Sequence, residues 1–134
     1  SITKELPPIA ASVDKPIAAL LRDLKSRGLF DDTLLIWTTE FGRTPFVQNK
    51  DGRDHNGGTF VTWLAGAGVN AGVAHGRSDD WGYQAEDGVT YCYDFHATVL
   101  HLLGIDHKKL TFKHSGRRFR LTDVAGRVID KIIT

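Results

Sequence analysis

The sequence predicts a layered α/β unit, and three observations carry that expectation. An amphipathic helical stretch covers residues 14–27. Two short apolar, β-rich runs follow at 33–39 and 59–65, separated by a long polar loop. A Ser-Gly pair between two alternating segments then marks a hairpin near the end. Helix, strand, loop, strand, helix and hairpin fit elements that bury one face each against a shared core.

Residues 1–11 read as an extended lead-in, held open by Pro7 and Pro8. The helix over 14–27 is capped by Ser12 or Asp14 and tolerates Pro16 in its first turn. Ile17, Leu20, Leu21 and Leu24 fall at the spacing of one buried face, and Gly28 ends it. Leu29 and Phe30 pack down, and Asp31-Asp32 turns the chain into the first strand. That strand is apolar enough to be covered on both faces. The loop at 41–58 is long and polar, which in a domain of this size points to function or mobility. Thr59 to Ala65 is the second strand. The glycine-rich run Gly66 to Gly72 lacks the spacing and following helix of a phosphate-binding loop, and reads as a turn. Residues 73–92 are irregular. Asp94 caps a helix through Leu103, with Phe95, Val99, Leu102 and Leu103 inside and Gly104 at its end. Residues 110–114 and 117–121 flank Ser115-Gly116 as a hairpin. Asp123 to Thr134 reads as a terminal helix.

Composition narrows the function classes. The chain has 134 residues, enough for one domain. Hydrophobic residues make up 41% and charged residues 25%, which is ordinary for a globular protein. A formal net charge of +1 gives no reason to expect nucleic acid as a partner. No apolar run is long enough to span a bilayer, and no export signal is visible. The single Cys92 cannot form an internal disulfide, and an inert buried thiol is the expectation for it. The absence of methionine and the abrupt start point to a single domain, 1–134, that is a fragment of a longer one.

The residues suited to chemistry cluster around the polar loop. Glu40 follows an apolar run, at the end of a strand where open α/β sheets place ligands. It is either a metal ligand or general base, or the partner of Arg43 in an ion pair. Asp54-His55 combines carboxylate and imidazole, a pair suited to zinc or manganese. Alone it fits a surface turn equally well; with Glu40 it outlines a metal site. Arg43 and Arg53 present planar forks that match phosphate or sulfate. His75, Asp79 and Asp80 read as solvated turn residues. His96 and His101 lie five apart and do not share a helix face. No nucleophile is evident, so no catalytic residue is assigned. The hairpin region from Lys108 to Arg120 holds six Lys or Arg, best explained as a solvated outer face.

The stretch from Asp14-Lys15-Pro16-Ile17 through Asp31-Asp32-Thr33-Leu34 into Glu40-Phe41-Gly42-Arg43-Thr44-Pro45 resembles the C-terminal part of a large bacterial family. It is the domain-of-unknown-function family numbered fifteen hundred and one. The resemblance continues through Gly52-Arg53-Asp54-His55, Trp63-Leu64-Ala65-Gly66, Asp94 to His101, and Gly116 to Val124. That family is similar to the alkaline phosphatase and sulfatase superfamily, an αβα sandwich that cleaves phosphate or sulfate esters with divalent metal. The resemblance therefore implies the C-terminal portion of such a sandwich, with a small hairpin. It implies a divalent ion (zinc, manganese or calcium), an anionic ester substrate, and an exported parent protein. Glu40 stands where the superfamily has a ligating Asp, but Phe41 replaces a ligating His. His55 matches a downstream ligand, with Asp54 beside it. The segment from Asp94 to Gly104 matches a helix that is mainly structural in sulfatases. The nucleophile and further ligands would lie upstream of Ser1, so the fragment alone is expected to be inactive. Loss of the histidine at Phe41 also allows a scaffold that keeps the fold without turnover.

Overall fold

A computed structural model describes residues 2–134. Its first element, α1 (Ile2–Ser26), is longer than the sequence predicts. Residues 2–11 of the stretch read as an extended lead-in are helical, although Pro7, Pro8 and Pro16 lie within the helix. Each proline removes a backbone donor, which made the stretch look like a breaker. The apolar period nevertheless runs on through Ile2, Leu6, Ile9 and Val13. Ser12 caps nothing; its hydroxyl donates to the Ile9 carbonyl at 2.7 Å within the helix.

A short 3-10 turn at Phe30–Asp32 receives the end of α1. Leu29 N–H donates to the Leu24 carbonyl at 2.9 Å, and the Lys25 ammonium sits 4.8 Å above the Phe30 ring. The chain then enters β1 (Leu34–Trp37). After the loop bearing β2 (Gly42–Arg43) and β3 (His55–Asn56) comes β4 (Trp63–Gly66). β1 and β4 are neighbours, antiparallel, with Leu34 opposite Gly66 and Trp37 opposite Trp63. The two apolar runs do pair as expected, but Thr59–Thr62 lies outside the second strand. Nor is β1 covered on both faces: Ile36 is 41% and Trp37 42% exposed. A two-stranded sheet has no neighbouring strand to close its edges and no second layer over this end.

Further on come β5 (Arg77–Ser78), β6 (Ala85–Asp87), α2 (Cys92–Leu102), β7 (Thr111–His114) and β8 (Arg117–Arg120). The fold is thus mixed α/β, with two α-helices and four two-stranded antiparallel sheets among the described residues. The β7–β8 hairpin closes as the sequence predicts. His114 pairs with Arg117, and Ser115 and Gly116 both take positive φ (47° and 79°), the two-residue turn whose twist suits adjacent strands.

α2 begins one turn earlier than expected. Tyr91 is its N-cap, and the Asp94 carboxylate accepts the Tyr91 N–H at 3.1 Å from inside the first turn. Leu103 and Cys92, both expected inside, are exposed. The buried face is Asp94, Ala97, Thr98 and Leu100 instead. The reason lies in what covers it. The segment expected as a terminal helix is an extended strap with one 3-10 turn at Asp130–Ile132. Its donors are already engaged: Arg127 N–H reaches the Asp94 carboxylate at 2.7 Å, and Ile129 N–H reaches the Thr98 hydroxyl at 3.0 Å. Asn70 then holds the Ile132 and Ile133 carbonyls at 2.9 and 2.7 Å. A chain whose backbone bonds are satisfied this way has none left for helix turns.

Candidate functional site

The polar loop folds into a short ribbon. β2 and β3 pair antiparallel, with Gly42 opposite Asn56 and Arg43 opposite His55. Directly opposed residues in such a pair project to the same face, so Arg43 and His55 share one. Gly42 is required by close approach, since a Cβ there would run into the Thr59 carbonyl oxygen. Thr44, buried beneath the ribbon, ties its two strands. Its N–H donates to the Asp54 carbonyl at 3.0 Å, and its hydroxyl accepts the Asp54 N–H at 3.1 Å. Asn56, also buried, anchors the other end. Its amide donates to the Tyr83 carbonyl and its oxygen accepts the Gly58 N–H, both at 2.9 Å. The sequence reading missed Thr44 and Asn56; a Thr-Pro and an Asn-Gly-Gly at the limits of a loop were the available signals.

Aromatic packing fixes the exposed face. The Phe41 ring lies 4.1 Å from the His55 ring, tilted by 38°. The Arg43 guanidinium carbon lies 5.3 Å from the same Phe41 ring, a cation–π contact. Arg43 also donates to the Arg53 carbonyl at 3.3 Å. Arg53 in turn donates to the Gly52 carbonyl at 2.9 Å, which bends its side chain back over the Gln48–Gly52 turn. Phe41, which stands where the resemblance implies a ligating His, packs on both His55 and Arg43.

The five predicted site residues are not equivalent. Arg43 and His55 share a face of the ribbon, and Arg53 joins them only through its backbone carbonyl, its guanidinium turned to the Gly52 carbonyl. Asp54 is beside them, but both of its oxygens are engaged, one by His55 N–H at 2.8 Å and one by the Gln48 amide at 3.1 Å. Glu40 sits in the exposed bend between β1 and β2. The alternative Glu40–Arg43 ion pair does not form among the described residues, because Arg43 is turned to Phe41 and Arg53. Glu40 therefore offers an open carboxylate and His55 an imidazole with no hydrogen bond to its ring nitrogens. Carboxylate and imidazole are donor types that suit zinc or manganese. Among the described residues, no three His, Cys, Asp or Glu side chains converge to hold an ion. No helix among them is long and apolar enough to cross a membrane.

A mixed α/β chain with a basic ribbon on a polar loop is the class the geometry defines. A family model described as "Protein of unknown function (DUF1501)" matches residues 1–133, and the chain belongs to that family. No curated protein and no solved structure matches it.

Proposed function

We propose that this chain is the C-terminal portion of an alkaline-phosphatase-like αβα sandwich whose parent, an exported protein, hydrolyses phosphate or sulfate esters. The supporting observation is the β2–β3 ribbon. It presents Arg43 and His55 side by side, with Phe41 holding the ring in place. A preset guanidinium and imidazole on one face suit a tetrahedral anion. Glu40 and His55 would contribute to a divalent ion, zinc, manganese or calcium, with Asp54 third and the remaining ligands outside the described residues. A bound ion of this kind supplies charge neutralisation and activation of an oxygen nucleophile. The chain's own part is to orient the anion through Arg43 and Arg53 and to fix the His55 ring.

The test is metal affinity by calorimetry in the full-length parent. Glu40→Gln and His55→Ala should each weaken it about tenfold or more. If neither does, the two residues are not ligands. The second reading, a non-catalytic cell-envelope scaffold, then takes over. One observation favours it, namely the Phe41 ring packed on His55 where the superfamily has a second imidazole.

A further inference from the structure

The chain holds another polar concavity, away from the β2–β3 ribbon. It is an open cleft of about 700 Å³ between the start of α2, the loop at 88–90 and the C-terminal strap. A second cleft of about 480 Å³ adjoins it, and His107 and Lys108 line both. Volumes of this order are typical of small-molecule sites.

His107 is the unusual member. It is only 6% exposed, and its Nδ1 lies 2.9 Å from the hydroxyl of Thr122, which is wholly buried. The contact fixes the orientation of the ring. Its other nitrogen has no hydrogen-bond partner among the described residues. No sealed side-chain nitrogen or oxygen among them lacks a partner either, so that nitrogen is open to solvent, and His107 lines both clefts. An imidazole this buried, with one nitrogen anchored, is costly unless its other nitrogen meets water or a ligand.

The surroundings are mainly cationic. Lys108, Arg127 and Lys131 line the larger cleft with His107, against Asp94 and Asp130. The Asp94 carboxylate keeps its charge but has its hydrogen-bonding capacity taken up within the fold. Its oxygens are met by Arg127 N–H at 2.7 Å and Tyr91 N–H at 3.1 Å. The Arg127 guanidinium is only loosely held by Asp94, at 3.9 Å, and its side chain is 81% exposed. It is free to close on a ligand. Cations arrive from the 107–108 turn on one side and the strap on the other. A carboxylate brings two oxygens and a single charge to these groups, whereas a tetrahedral oxyanion such as phosphate brings more of both.

We propose that the cleft between His107 and the C-terminal strap is a phosphate-type oxyanion site, with His107 as its fixed donor and Arg127, Lys108 and Lys131 as its cationic wall. The site does not depend on the β2–β3 ribbon. The ring protons of His107 in the full chain would be followed by NMR during titration with inorganic phosphate at constant ionic strength. Acetate and chloride serve as parallel titrants. Phosphate should shift the His107 resonances saturably, acetate about tenfold more weakly, and chloride not at all. Arg127→Ala and Lys131→Ala should each weaken phosphate binding about fivefold. Arg43→Ala and Arg53→Ala should leave it unchanged, which separates this site from the ribbon. The proposal is overturned if phosphate causes no saturable shift, if acetate binds as well, or if neither strap substitution weakens phosphate binding. It is equally overturned if the shift disappears with Arg43→Ala.

Discussion

Thr98 shows how much a single side chain carries here. It is wholly buried on α2, its hydroxyl donates to the Asp94 carbonyl at 2.8 Å, and it accepts the Ile129 N–H at 3.0 Å. Valine has the same shape but no oxygen, so Thr98→Val would strand the Ile129 donor beneath the strap. The expected loss is about 1–3 kcal/mol, read from urea unfolding, with Thr98→Ser near the parent value. A valine variant as stable as the parent would mean the strap is held by something other than this hydroxyl. The Ile129 bond ties α2 to the strap. The sequence alone did not reveal the partner, because the partner is backbone some thirty residues away and carries no side-chain signature. Arg43 and His55 were legible as chemistry-bearing types. Their shared face was not, because it depends on a two-residue pairing too short to show periodicity.

At the scale of elements, legibility followed whether the signal was local. The β7–β8 hairpin was readable because Ser115-Gly116 satisfies a turn that demands positive φ at both positions. The β1–β4 pair was readable because both strands are apolar and close in sequence. The beginning of α1 was not, because prolines outweighed a weaker apolar period. The C-terminal strap was not, because Val128, Ile129, Ile132 and Ile133 imitate a helix face while their backbone is claimed elsewhere. The turn after α2 gives a prediction of its own. Asp106 accepts the Lys108 N–H at 2.8 Å, and the Lys109 ammonium lies 3.6 Å from its other oxygen. The Lys108 N–H, with help from Lys109, holds the Asp106 carboxyl below its ordinary value of 3.8. A lowered carboxyl stabilises the folded turn above the unfolded value, and that contribution is lost as pH falls through the folded one. The turn that carries His107 should therefore stay closed through mildly acidic pH and loosen only below the usual carboxylate range. The Lys108 amide resonance should titrate with a midpoint under 3.8. Asp106→Asn should abolish that titration; a midpoint at or above the ordinary value would contradict the hydrogen bond.

The whole molecule is defined by how little it covers. A compact chain of 14.8 kDa exposes about 7,000 Å². This one exposes 10,002 Å². Ala97 and Leu100 are the buried apolar residues among those described, while Thr44, Asn56, Asp94, Thr98, His107 and Thr122 are buried and polar. Hydrogen bonds rather than apolar burial therefore join the pieces, and α1 contributes no buried residue at all. Its apolar stripe and the Ile36–Trp37 end of the sheet lie open. The consequence for the isolated chain is measurable. Relative to an unfolded surface of about 21,000 Å², it buries roughly half, where a compact chain of this length buries about two thirds. Because the denaturant slope follows the area exposed on unfolding, the urea m value should be about a fifth smaller than that of a compact protein of equal length. The folded chain should also bind a hydrophobic dye such as ANS before any denaturant is added. Normal m and no dye binding would show that α1 folds back over the β1–β4 sheet in solution, and that the open apolar faces are closed by the chain itself.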